Sequence, residues 1–375
     1  MSQNILLRIS VLVSLLGFGV VFIIWHVVHS TYQPDSQALT SPAQVTTFLN
    51  RQQQKSTDVL LEKPVYIPTG FFVQSLYFMS KVNVQVKGYI WQKYPLNMAV
   101  PISQNFIFPE VVERADTFTQ IEMYRQREKD HEVIGWYFEG IFRHKFDYHN
   151  YPLDNKTVTV RLWPKDFNRN IVFTPDFDAY PKNLNNPLGL EDGIVLRGWE
   201  LDETFFKYHM DDYQTDFGMG HVANRHERPE LSFNIVITRS FRSAFIVHLM
   251  PLFVVLTLLF ALLISIHKEQ EKKEIFGVNV NSVIGSCSAL FFIIMLSHIH
   301  LRGDSPGSHV VYIEYFYFLS YFMLLVVAIY GFLHLSGKLP NWKWIHYKDN
   351  LVIKFLYWPF IGIVSALFTA VTLLL

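Results

Sequence analysis

Disulfides are excluded at the outset: the 375-residue chain has a single cysteine, Cys287, so no bridge can form within it and each domain must be held by its own core. Excess charge is missing as well. The 32 basic residues are balanced by 32 acidic ones, which removes the usual pull toward nucleic acid or an anionic membrane surface. Enzyme signatures are equally absent, with no Walker loop, no Gly-x-Ser-x-Gly elbow, no His-Glu-x-x-His and no Cys-x-x-Cys. The chain is therefore expected not to be an enzyme and to need no catalytic residue, cofactor or metal. His298 and His300 stand two residues apart, a spacing that does not bring both onto one helical face, so they read as interfacial polar residues.

What the chain does have is hydrophobicity, in half of its residues. Runs long enough to cross a bilayer core, about 20 residues each, fall at 9–28, 244–266, 278–299, 310–333 and 351–375. The first has Arg8 ahead of it and Trp25-His26-Val27-Val28-His29 behind it, with no small-x-small cleavage site. It reads as a retained anchor rather than a cleaved signal peptide. Basic residues set the expected orientation. Lys268, Lys272 and Lys273 follow the second run and Lys338, Lys343 and Lys348 the fourth, whereas the link after the third has only Arg302, offset by Asp304. The lysine-rich links are expected in the cytoplasm, and the region between the first two runs outside it.

That region opens with a polar stretch, 31–58, containing Arg51-Gln52-Gln53-Gln54-Lys55, which reads as a linker with room for a short helix. From 59 to 239 the pattern changes. Residues 82–91, 133–138, 157–163 and 231–237 alternate with a period near two and are rich in β-branched and aromatic side chains. Many short strands at this spacing predict a β-sandwich or barrel. Residues 1–30 are then the membrane anchor and 240–375 a four-helix domain, where Pro251 and Pro359 free carbonyls that need neighbouring helices in lipid.

Two groups of residues invite a functional reading. Along the third apolar run, steps of three and four connect Ser282, Gly285, Ser286, Ala289, Phe292, Ile293, Leu296 and Ile299. Small residues in a span serve close helix packing as readily as pore lining. If this stripe faces water, its small end is wettable and Phe292, Ile293 and Leu296 form an apolar constriction that closes by dewetting. The second group is aromatic: Tyr89 and Trp91, Trp163 and Phe167, then Phe205, Phe206, Tyr208 and Tyr213 near Asp211 and Asp212. Together they could enclose a cationic ligand, although core packing competes for any single ring.

The stretch Phe146-Asp147-Tyr148-His149-Asn150-Tyr151-Pro152-Leu153-Asp154 closes a strand-rich region ahead of four apolar runs. With it, the chain resembles the pentameric ligand-gated ion channels, the Cys-loop receptor superfamily, in its prokaryotic form without the cysteine bridge. Tyr151-Pro152-Leu153-Asp154 matches that family's aromatic-Pro-x-Asp signature, and Tyr89-Ile90-Trp91-Gln92-Lys93-Tyr94 looks like its second-strand motif. Arg239 sits where the family has an arginine before its first pore-domain helix, and Ser305-Pro306 looks like its turn between the second and third. His144 and Val158 stand where animal receptors place the bridging cysteines. Two departures are the extra N-terminal span and the link 265–277, about a dozen residues longer than the family's usual short loop.

The resemblance implies a multi-domain membrane protein: an extracellular or periplasmic β-sandwich, then a four-helix transmembrane bundle, with the N-terminal anchor as an addition. It implies a homopentamer around an ion pathway lined by the second helix of the bundle. A small-molecule ligand, of the cationic amine class on the aromatic evidence, would bind between outer domains, Trp163–Phe167 and Phe205–Tyr213 coming from one subunit and Tyr89 and Trp91 from the next. Tyr151, Pro152 and Asp154 would meet Arg239 and the Ser305-Pro306 turn and couple binding to opening. The runner-up is a non-conducting sensor of the same architecture. Asn155-Lys156-Thr157 is a glycosylation sequon, but that matters only in a secretory eukaryotic host, and the missing bridge points to a bacterial inner membrane.

Overall fold

The computed structural model describes residues 3–30, 34–55, 64–97, 101–112, 117–166, 169–181, 188–210, 215, 217, 228–267, 278–304, 310–336 and 351–374. They form two compact units, Gln33–Phe146 with Asn155–Thr238, and Met1–Tyr32 with Asp147–Asp154 and Arg239–Leu375.

The first unit is β-rich. Strands β1 (Val65–Phe78), β2 (Asn83–Pro95), β3 (Phe106–Ile107), β4 (Thr119–Arg127), β5 (His131–Arg143), β6 (Asn155–Arg161), β7 (Trp163–Pro164), β8 (Ile171–Pro175), β9 (Trp199–His209) and β10 (Glu230–Arg239) make three sheets. Their orders are β4-β5-β2-β1-β8, β6-β10-β9 and β3-β7. Alternation decides which side chains go inward. In β2, Val84, Val86, Ile90 and Tyr94 are buried while Gln85, Lys87, Tyr89, Trp91 and Lys93 face the other way. The buried set meets Val158, Val160, Phe206, Phe233 and Ile235 of the three-stranded sheet in one apolar core, with Phe71 stacked on Phe233 at 5.1 Å. Polar residues in this interior have partners: Gln92 donates to Thr69 Oγ1 at 3.2 Å, and Thr159 donates to Asn234 Oδ1 at 2.8 Å.

The stretch expected as a linker is partly folded onto this unit. Leu39 forms an antiparallel bridge to Phe206 on β9, the edge of its sheet, so an otherwise open edge is partly covered. Helix α2 (Pro42–Lys55) follows, started by Ser41 and Gln44, whose side-chain carbonyl accepts the Ser41 N–H at 3.2 Å. Val45, Phe48 and Leu49, spaced for one helical face, pack on the core, and Phe48 stacks on Tyr208 at 4.8 Å. The glutamine-rich end masked this short amphipathic signal.

Among its described residues the second unit contains five helices long and apolar enough to cross a membrane, the first at the N-terminus: α1 (Gln3–Ser30), α3 (Phe241–Ser265), α4 (Val280–Asp304), α5 (Glu314–Leu335) and α6 (Leu351–Leu374). All five apolar runs of the sequence became helices. The largest inward shift is at α5, which begins at Glu314 rather than at 310; the backbone N–H groups of Tyr312 and Ile313 bond elsewhere, as described below. Fully buried Glu314 ties the start of α5 to α4, accepting the Val311 N–H at 2.9 Å and pairing with His298 at 3.2 Å and with Arg302. Next to it His298 stacks on Tyr317 at 4.8 Å, and Ser297 hydrogen-bonds the Tyr317 hydroxyl at 2.7 Å. Between α3 and α6, the Tyr357 hydroxyl donates to the Leu256 carbonyl at 2.8 Å.

Candidate functional site

The aromatic-Pro-x-Asp turn, Asp147–Asp154, belongs to the helical unit. Two short backbone bonds shape it, Tyr151 N–H to the Tyr148 carbonyl at 3.0 Å and Leu153 N–H to the Asn150 carbonyl at 2.7 Å, and Tyr151-Pro152 is a cis peptide. Tyr148, Tyr151, Leu153 and Asp154 are all buried. Burial pushes the Tyr148 phenol up to about 12, against the opposing pull of Arg239.

Three parts of the unit converge on this turn. Arg239 donates through Nε to Asp154 Oδ1 at 2.9 Å, its backbone N–H reaches the Asp154 carbonyl at 3.2 Å, and its guanidinium lies 4.7 Å from the centre of the Tyr151 ring. His248 Nε2 hydrogen-bonds the Tyr151 hydroxyl at 3.0 Å. It sits in a π-helical turn, Phe245–Leu249, inside α3 just before Pro251; such one-turn irregularities are often found at functional positions. From the segment ahead of α5, Tyr312 N–H donates to the His149 carbonyl at 2.9 Å and Ile313 N–H to the Tyr151 carbonyl at 3.3 Å. The turn is thus held by an ion pair, a ring hydrogen bond and three backbone bonds. A shift in any one must be accommodated by the others. Pro306 and Ser305, expected at the same place, lie outside the described residues.

The expected lining residues of α4 share one condition. Ser282, Gly285, Ser286, Ala289, Phe292, Ile293, Leu296 and Ile299 are all exposed in the single chain, Leu296 at 63% and Ile299 at 59%. Val283, Cys287, Leu290, Ile294 and Leu301 turn inward instead. The uncovered face is wider than the stripe and includes Ile284, Ser288 and Phe291.

The aromatic residues divide. Trp91 lies flat over Gly70, where a Cβ would fall 2.1 Å from its ring, and donates Nε1–H to Asp176 at 2.9 Å; Lys93 pairs with the same carboxylate at 2.8 Å. Only glycine leaves room for that ring. Tyr89, on the same face of β2, meets Tyr137 edge-on at 5.6 Å. Trp163 donates to Glu230 at 2.7 Å, beside Arg161, which is 3.3 Å from that carboxylate. Phe206 and Tyr208 are core residues: Phe206 packs against Phe71, Phe177, Tyr180 and Phe233, and the Tyr208 hydroxyl donates to the Phe173 carbonyl at 3.0 Å. Phe205 is buried as well. Phe167 and Tyr213 lie outside the described residues. Trp91 and Trp163 are therefore half-buried rings, each beside a buried carboxylate that a cation already neutralises.

Sequence reasoning missed His248 and Tyr312 as neighbours of the turn. A histidine inside an apolar run is itself a signal, whereas the backbone bonds of Tyr312 leave none. No protein-family model matches the chain, and no curated protein matches it either.

Proposed function

We propose that the chain is a subunit of a ligand-gated ion channel, a homopentamer with its β-rich domain outside the cytoplasm and α4 lining the pathway. The observation that carries this reading is the α4 face: eight residues picked from the sequence as lining are all left uncovered by the rest of the chain, while the opposite face is packed. Lipid alone would not call for Ser282, Gly285, Ser286 and Ala289 at one end of such a face, because exposed small and hydroxylated residues gain nothing from hydrocarbon. Phe292, Ile293 and Leu296 then form the apolar closure, opened when it wets. The Asp154–Arg239–Tyr151–His248 constellation supports a coupling role, since it joins the chain leaving β10 to the first turns of α3. Ligand binding shifts conduction only through different affinities for open and closed forms. Half-buried Tyr89, Trp91 and Trp163 are the rings available to a cationic amine.

Current recording from purified protein in planar bilayers, across a panel of small amines and pH values, tests the reading. Discrete, ligand-dependent conductance is expected. Silence under every condition would favour a non-conducting sensor of the same architecture.

A further inference from the structure

An N-terminal anchor need only be apolar, yet α1 is tied to the helical unit at three levels. First, Pro359 has no N–H, so the Phe355 carbonyl one turn back loses its helical donor. Ser10 Oγ of α1 donates to that carbonyl at 2.6 Å. Second, Gly17 meets Gly362 backbone to backbone; a Cβ on Gly17 would fall 2.6 Å from the Gly362 carbonyl carbon. Third, Trp25 is buried, its ring 5.2 Å from Phe241 at the start of α3 and 6.0 Å from Phe316 in α5, and its Nε1–H donates to the Tyr312 hydroxyl at 2.7 Å. An interfacial tryptophan ordinarily turns its N–H to headgroup water. This one does not.

Tyr312 is where these ties reach the site. An indole can only donate, so the Tyr312 hydroxyl accepts from Trp25, and it also hydrogen-bonds Thr369 Oγ1 of α6, 2.7 Å away. The backbone of the same residue donates to His149, and that of its neighbour Ile313 to Tyr151. One tyrosine is thus gripped by α1 and α6 through its side chain and by the aromatic-Pro-x-Asp turn through its main chain.

We infer that α1 is a control element rather than a passive anchor, with Trp25 as a positioning residue that holds Tyr312 and, through it, the turn. Its effect on conduction rests on the channel reading above; its hold on Tyr312 does not. Because all three partners are buried, losing the indole donor takes one hydrogen bond from the tyrosine oxygen in a place water does not reach.

The test uses the full chain in phospholipid nanodiscs, comparing Trp25→Phe, Tyr312→Phe and the double variant with the parent by hydrogen–deuterium exchange and, in bilayers, by current. Trp25→Phe keeps an aromatic ring and removes the donor. Exchange at the Tyr312 and Ile313 amides should rise about five- to tenfold, as expected for loss of one hydrogen bond, with peptides from β2 and β5 unchanged. Tyr312→Phe, which loses the Thr369 bond as well, should raise exchange at least as much, and the double variant no more than Tyr312→Phe, because the Trp25 bond is already gone there. Gly17→Leu, which pries α1 from α6 without touching either residue, should reproduce the effect if Trp25→Phe does not fold. Parent-like exchange in both Trp25→Phe and Gly17→Leu would overturn the hold. Faster exchange with an unchanged ligand dependence of current in Trp25→Phe would overturn the control role. If the parent itself carries no current, the channel reading fails alone, and exchange still decides whether Trp25 holds Tyr312.

Discussion

Single residues set the polar economy of both units. Asp154 and Arg239 form a pair whose carboxylate is almost wholly buried; removing one partner of such a pair typically costs about 3–5 kcal/mol, since the other charge stays behind without compensation. His144 is the opposite case. Its Nε2 is buried with no hydrogen-bond partner among the described residues, its ring stacks on Phe146 at 5.2 Å, and burial pushes the imidazole down to about 4. The unfolded chain would take up a proton near pH 6.5 and the folded one only near 4, so the unfolded state binds more protons between those values. The stability that comes from keeping His144 neutral is fully present above about pH 6.5 and is lost as pH falls toward 4, on the order of 3 kcal/mol in all. Denaturant unfolding at pH 7 and pH 4.5 should therefore show a smaller acid loss in His144→Phe than in the parent. Equal losses would mean that the histidine titrates normally.

At the scale of elements, α4 has two faces with different fates. Its packed face carries Cys287, which is buried and serves as an internal control. Cysteines introduced at Ser282, Ala289 and Leu296 should react with a charged thiol reagent from the aqueous phase when ligand is present, while native Cys287 stays protected. Protection of all three in every condition would place that face against lipid or another helix. The aromatic-rich strand β9 teaches a different lesson. Phe206 and Tyr208 alternate inward and fill the core, so truncating Phe206 removes packing, of the order of 3–5 kcal/mol for a buried phenylalanine, before any ligand is involved. Trp91 and Trp163 are the rings to truncate when ligand response is the question.

For the whole molecule, each unit leaves an apolar surface uncovered: the exposed face of α4 in one and, in the other, edge strand β4, whose Ile121, Met123 and Tyr124 are exposed. In the proposed pentamer a second copy covers such surfaces, because a closed ring uses two different patches on every subunit. Native mass spectrometry of the detergent-extracted protein should give five times the mass of the chain. A monomer, or a dimer with no larger species, would remove the axial pathway.

How much was legible beforehand follows from range. The five spans were written in the sequence because about 20 apolar residues in a row leave few alternatives, and β2, β5, β6 and β10 because alternation is a local signal. The eight-residue stripe on α4 was likewise a matter of helical spacing. Tertiary structure decided the rest. Whether an aromatic side chain is core or surface depends on which sheet its strand joins, which sent Phe206 inward and left Trp91 half-exposed over Gly70. The turn's grip on Tyr312 and Ile313 runs through backbone atoms, which carry no sequence signature, and the bond from Trp25 to Tyr312 spans 287 positions. Contacts at such separation exist only once the helices have packed, so hydropathy could mark α1 as apolar but not say what it holds.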